Sequence, residues 1–288
     1  MTLEPLEELI RWQGRTYRGA IRLIAAEGHV LVINVVDIED YLRGVVPAEM
    51  QASWPLEALK AQAVAARTYT LASLESSADY DLCATIECQV YRGVEAEHRR
   101  SDKALEETEG VVLTFGGSVA RTFYHADSGG IVASSAEVWG VTFPYLVAQT
   151  DVATTSPHRR WDKQLDPEVV SASLRSNGFD LGIVQRLRVL SYSESGRVRQ
   201  LEVSGSGGVA RLEGRQLRTL LRSWGLKSTR FRMTGALSAR GDGWGHGVGM
   251  SQYGARSLAQ SGYTYSQILS FYYPSTTLQK RIYTSVRP

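Results

Sequence analysis

The 288-residue sequence is poor in most of the features that mark a specialised class. It has two cysteines, Cys83 and Cys88, with four residues between them, too few to staple a fold of this size, so they are a local feature. Excess charge of one sign is missing: 32 Lys plus Arg face 30 Asp plus Glu for a formal +2, which argues against a polybasic nucleic-acid protein. No run approaches the ~20 apolar residues of a membrane helix; Val30 to Val36 and Ile183 to Leu190 are short or charged. The N-terminus, Met1-Thr2-Leu3-Glu4-Pro5-Leu6-Glu7-Glu8, carries acids where a signal peptide is basic, so the protein is cytosolic or its leader was removed. There is no internal repeat, low-complexity tract or linker.

What is present is ordinary globular composition, 43% hydrophobic and 22% charged, with Tyr (14) and Trp (6) giving a lean toward amphipathic rings suited to polar, carbohydrate-like surfaces. Alternation over Gly19 to Ile24 and His29 to Val36 around Glu27-Gly28 predicts a hairpin. Asp37 to Leu42 reads as a short helical turn, and Gly44 to Met50 as the approach to a helix from Pro55 to Leu74. In that helix Ala58, Ala61, Ala65, Tyr69 and Ala72 make one narrow packing face. Asp79 to Gly93 reads as loop, Ser101 to Glu109 as a polar helix, and Val111 to Phe115 as one arm of a hairpin returning through Ala120 to Tyr124. Beyond a Gly- and Ser-rich loop, helices are expected at 166–178, 214–224, 250–260 and 266–272, with a two-strand unit at 184–190 and 198–203. Strands and helices mingle without strict alternation, which predicts an α+β fold: a single elaborated domain over 17–288 after a lead-in at 1–16, with mixed or antiparallel sheets and packed helices.

Five segments have chemical potential. In Gly44-Val45-Val46-Pro47-Ala48-Glu49-Met50, a carboxyl among Val45, Val46, Met50 and Trp54 would be partly desolvated, the condition for a general acid near neutral pH; a loop carboxylate facing the next helix N-terminus is the plainer reading of Glu49. Lys60 and Arg67, seven apart on a helix, point the same way, either as a cationic stripe for a substrate carboxylate or as a solvated face with Glu57 beside Lys60. Tyr124-His125-Ala126-Asp127-Ser128-Gly129-Gly130 suggests a triad but lacks the Gly-x-Ser-x-Gly elbow, so a loop presenting Ser128 to a polar ligand is the better reading. Gly241 to Gly249 has glycine at every second position, leaving one face bare for a close neighbour or ligand; it is no phosphate loop, and His246 within it is a ligand, a base or a structural residue. Cys83 and Cys88 would make half a metal site or, in an oxidising compartment, a disulfide.

Together Val45-Val46-Pro47-Ala48-Glu49-Met50, Leu56 through Tyr69, and Gly243 through Ala255 resemble the SpoIID/LytB family of bacterial cell-wall proteins. The resemblance extends from about Tyr17 to Leu278 through Glu39 to Gly44, Gln89-Val90-Tyr91-Arg92-Gly93, Ser128-Gly129-Gly130 and Phe271 to Pro274. It implies a peptidoglycan lytic transglycosylase acting on glycan strands stripped of stem peptides, with Glu49 at the catalytic glutamate position. Lys60, Arg67, Tyr145, Ser156, Ser128, His246, Gln252 and Tyr253 are then the expected substrate-binding residues. The mechanism needs no cofactor; some members bind zinc through cysteines and a histidine near this loop, and here the upstream histidine is absent. The LytB branch implies the alternative, a noncatalytic glycan-binding activator of an N-acetylmuramoyl-L-alanine amidase. Either way the expected setting is the cell envelope or outside it, with a cell-wall amidase as a possible partner, no nucleic acid and no membrane span in this sequence.

Overall fold

The computed structural model describes residues 1–3, 9–74, 79–152 and 155–281. Its small, mostly antiparallel sheets and interspersed helices make an α+β protein, as the pattern predicts. The chain divides into two compact units, one formed by Met1–Thr122, Leu258–Phe271 and Ser275–Pro288, the other by Phe123–Ser257 and Tyr272–Pro274.

In the first unit the expected hairpin forms as Ala20–Ala26 against His29–Val35, with Thr2–Leu3 added at the edge. Of the lead-in 1–16, residues 4–8 lie outside the described residues, and Leu9–Trp12 pairs with Arg15–Arg18. The next segment differs from expectation. Instead of a turn followed by a loop, Ile38–Glu49 is one helix (α1) that carries Pro47 inside it and is N-capped by Asp37, whose side chain accepts the Glu39 N–H. Gly44 and Pro47 look like breaks in sequence, but Gly44 faces the Tyr91 ring so closely that a Cβ would lie 2.6 Å from it. Burial of Leu42, Val45 and Val46 then holds the helix through the missing proline N–H.

Leu56–Ala72 (α2) begins after Pro55, as predicted, but it is not a one-faced helix: Ala58, Leu59, Ala61, Ala63, Val64, Ala65, Ala66 and Arg67 are all buried. It is the centre of the unit, packed on α1, on Arg99–Glu106 (α3) and on strand Val111–Phe115. The run of alanines permits this close approach from several sides. The strand at 111–115 turns back only to Ser118–Val119 and takes Thr277–Lys280 on its other edge.

The second unit has its own core. Strands Val184–Tyr192, Val198–Gly205 and Gly208–Glu213 form a meander, one strand more than the two predicted, covered by Pro167–Ser176 and Gly214–Ser223. Leu174, Val184, Leu187, Leu201, Leu212, Leu217 and Leu220 fill the space between them. Tyr124–His125, expected to complete a hairpin, pairs in parallel with Met250–Ser251 instead, which seats the glycine-dense segment in this unit.

Candidate active site

Glu49 is the last residue of α1, half-buried, and its Oε1 accepts the Val90 N–H at 3.0 Å. That amide is delivered by the 79–93 loop, which is fastened at several points. Cys83 and Cys88 are joined as a disulfide, the Arg92 N–H donates to the Gly44 carbonyl, and the Tyr91 hydroxyl donates to Asn34 Oδ1 at 2.7 Å. Gln89 is fully buried and donates through Nε2 to Thr70 Oγ1 at 2.9 Å and the Tyr41 hydroxyl at 3.3 Å. Tyr41 in turn packs on Tyr91, ring centroids 4.9 Å apart. Burial pushes the Tyr41 phenol well above its ordinary range; the Gln89 hydrogen bond opposes this, and nearby Tyr69 and Glu49 add to it. Tyr41 therefore stays a neutral hydroxyl beside Glu49 at any physiological pH. Tyr69 is pushed up by burial too, against the Ser73 hydrogen bond and the field of Arg121. Motif reading attaches no chemistry to Tyr41, Gln89 or Tyr91, because their contacts with α1, α2 and the His29–Val35 strand span 19 to 57 residues of sequence.

The two expected cations are placed differently from each other. Arg67 is fully buried: Nε and Nη2 grip Glu39 at 2.6 and 2.7 Å, and Nη1 donates to the Val111 carbonyl at 3.1 Å. All three guanidinium nitrogens are engaged inside the unit. Lys60 lies between Glu57 and Glu107, 2.7 and 2.6 Å away, with the Tyr265 ring below it. Burial works against the ammonium, but the hydrogen bonds it donates to Glu107 and Glu57 outweigh it and hold the pKa up. Neither residue offers a lactyl carboxylate an unengaged face in this arrangement.

Among the described residues no group of three His, Cys, Asp or Glu side chains gathers to hold a metal ion.

The remaining expected residues lie in the second unit. Ser128 is buried and turns its hydroxyl inward to Asp151 Oδ2, while the Tyr272 hydroxyl donates to Oδ1 of the same carboxylate at 2.6 Å. His125 makes its hydrogen bond to the Val248 carbonyl, not to Ser128, so the triad geometry does not form. Tyr145, Gln252 and Ser156 are buried, and the Ser156 Oγ accepts the His158 N–H at 3.0 Å. His246 is half-buried, packed among Phe123, His125 and Trp139, and its Nδ1 accepts the Val248 N–H. Burial lowers its pKa to about 4; the Tyr124 carbonyl opposes this and Arg197 and Arg218 reinforce it, so the ring is neutral at neutral pH. The bare glycine face meets backbone: a Cβ on Gly249 would lie 2.0 Å from the Phe123 carbonyl oxygen, at φ +70°. Tyr253 is half-buried beside His158.

Known proteins resemble this chain along most of its length. A family model described as Stage II sporulation protein matches residues 26–115, and a domain of unknown function, DUF8618, matches 143–249. An uncharacterised protein of Brachyspira hyodysenteriae is 31% identical, the match covering 90% of this chain and 71% of that protein. A Bacillus subtilis protein named Amidase enhancer is 34% identical over 82% of the chain, which spans 40% of that relative's length. Stage II sporulation protein D of the same species is 27% identical over 86% of the chain and 76% of its own length.

Proposed function

The chain belongs to the SpoIID/LytB family, and on that premise we propose that it is a cell-wall protein cleaving peptidoglycan glycan strands as a lytic transglycosylase, with Glu49 as the single acid and base. The observation that carries the reading is the fixed, half-buried Glu49 carboxyl, held through one oxygen by the Val90 N–H beside the neutral Tyr41 hydroxyl. A carboxyl fixed in this way keeps one orientation through two proton transfers. It first protonates the oxygen leaving the muramyl anomeric carbon. As carboxylate it then takes the proton of the muramyl C6 hydroxyl, which attacks that carbon and closes a 1,6-anhydro ring. Hydrolysing glycosidases use two carboxyl groups at a set separation; here the sugar supplies the nucleophile, so one suffices. The other acids of α1 suit this economy, since Glu39 is gripped by Arg67 and Asp40 sits within 3.6 Å of Arg43. Arg67 then acts as a positioning residue for α1, not as a group that touches the strand.

The relative named Amidase enhancer favours a second reading, in which the same unit holds glycan without cutting it and stimulates an N-acetylmuramoyl-L-alanine amidase. Peptide-free glycan strands incubated with the wild-type chain and with Glu49→Gln, followed by mass spectrometry, separate the two. Transglycosylation predicts 1,6-anhydromuramyl ends from the wild type and a loss of about 10²-fold or more in Glu49→Gln. Ends from neither protein, with faster stem-peptide release when an amidase is added, would leave only the activator.

A further inference from the structure

The glycine-dense loop has one large side chain outside the packed interior, and its surroundings are built for a ligand. Gly243, Gly245, Gly247 and Gly249 all have positive φ and lie against the backbone or side chains of their neighbours, which pulls the loop down and turns Trp244 outward. Trp244 pairs through its backbone with Asp127, yet 47% of its surface is open. The His158 ring stands edge-on to it at 4.4 Å, and Tyr253 stands edge-on to His158 at 5.7 Å. Lys227 is fixed beside the loop by its carbonyl, which accepts the Gly245 N–H; its Nζ lies 5.5 Å from the indole centroid and 3.4 Å from His158 Nδ1.

One feature of this group asks for a partner. Lys227 is half-buried, and among the described residues no carboxylate comes within 4 Å of its ammonium, whereas Lys60 in the other unit has two. Asp127, whose field reaches His158, has Oδ1 filled by the Gly129 N–H while the buried Oδ2 meets no donor among the described residues. An ammonium with no carboxylate near it, beside an open indole and an imidazole, describes a ligand with a flat apolar face and an anionic group; the Asp127 Oδ2 acceptor is buried beneath the loop and is not offered to that ligand. Burial, and Lys227 after it, lower the His158 pKa, so that imidazole is a neutral hydrogen-bonding group at neutral pH.

We propose that Trp244, Lys227, His158 and Tyr253 form a subsite for an acidic hexosamine ring, the pyranose stacking on Trp244 and its carboxylate meeting Lys227. The ligand class is a muramyl residue whose lactyl carboxylate is free, and in naming it the proposal rests on the glycan reading above. Lys227 thereby takes the carboxylate-recognising role for which Lys60 and Arg67 are already committed elsewhere.

The test uses the full chain carrying Glu49→Gln, so that the strand is bound and not consumed, titrated calorimetrically with peptide-free muramyl oligosaccharide and with neutral chitohexaose. The parent is expected to favour the acidic oligosaccharide by about tenfold, the worth of one charge-assisted hydrogen bond. Adding Trp244→Ala should weaken both ligands by about tenfold or more, as removal of a stacking anchor does. Lys227→Met should weaken only the acidic one and bring the two within about twofold. Trp244→Phe, which keeps a ring, should fall between parent and Trp244→Ala, and it covers the case of an alanine variant that fails to fold. The proposal is overturned by a parent that binds neither oligosaccharide, by Trp244 variants that bind like the parent, or by a preference that survives Lys227→Met. Absence of anhydro ends with this binding pattern intact would remove the chemistry and keep the subsite; cleavage with Trp244 variants binding normally would do the reverse.

Discussion

The two units carry the two most recognisable sequence motifs; both bury a matched arginine, Arg67 in one and Arg197 in the other, but the motifs themselves treat their polar residues differently. In the first, α2 puts a full positive charge in the interior and matches it: Arg67 has Glu39 on two nitrogens and a carbonyl on the third. In the second, the 241–249 loop packs the half-buried His246 against buried His125, both neutral, and uses glycines to approach neighbouring backbone at Gly249 and the Arg197 guanidinium at Gly247. Recurrent residues in both places serve the fold first. The chemistry proposed above falls to residues at the margins, Glu49 at the end of a helix and Trp244 at the outward tip of a loop.

Arg67→Met should break this contrast most severely. It leaves Glu39, a quarter exposed, with only the long Gly110 N–H, and takes the guanidinium from the Val111 carbonyl; removal of one partner from a buried pair costs about 3–5 kcal/mol, and the partial exposure of Glu39 puts this case toward the lower end. Glu49→Gln, by comparison, should change stability by less than about 1 kcal/mol, because the amide side chain can still accept the Val90 N–H. Urea unfolding of both variants checks the difference. An Arg67→Met protein as stable as wild type but unable to bind strands would return Arg67 to the substrate.

How much of this was readable beforehand depended on sequence distance. The 20–35 hairpin and the start of α2 at Pro55 are local signals and were legible. The full length of α1 was not, because Gly44 and Pro47 read as interruptions until Tyr91, from 47 residues along, explains the glycine. The third strand of the meander hid behind Gly207-Gly208, which reads as loop. In the site, Glu49 was legible from the valines around it, whereas Tyr41 and Gln89 meet across 48 residues and carry no local mark. Lys60 and Arg67 share a face by spacing, and spacing cannot say that the helix is buried on every side at one of them and only partly at the other.

The neutral imidazoles sharpen the comparison through pH. His246 titrates near 4 when folded and near ~6.5 when unfolded, so between those values the unfolded chain binds more protons. Its contribution is complete above about pH 6.5 and is lost as pH falls toward 4, amounting to on the order of 3 kcal/mol. Urea unfolding at pH 8, 6 and 4.5 should show that decline, and His246→Phe should flatten it, leaving a residue from His125, which burial lowers as well. Hydrogen exchange at pH 5 should then find the second unit opening before the first. Equal protection loss in both would mean that the acid sensitivity belongs to the ion pairs and not to the imidazoles.

The smallest effect is the most telling about residue roles. Lys60→Met removes an ammonium held by Glu57 and Glu107, but it strands little: Glu57 keeps the Tyr265 N–H on its other oxygen, and Glu107 is solvated. Partly exposed pairs of this kind are screened by solvent, so the expected cost is about 1 kcal/mol, shrinking further in 0.5 M salt. Lys60 and Arg67 stand two turns apart on one helix, and a gap of this size between their variants in thermal melts would show that shared spacing hides different work. If Lys60→Met instead left stability untouched and abolished discrimination between acidic and neutral oligosaccharides, the ammonium would have to leave its two glutamates to meet the strand, and the carboxylate-reading cation would be Lys60 and not Lys227.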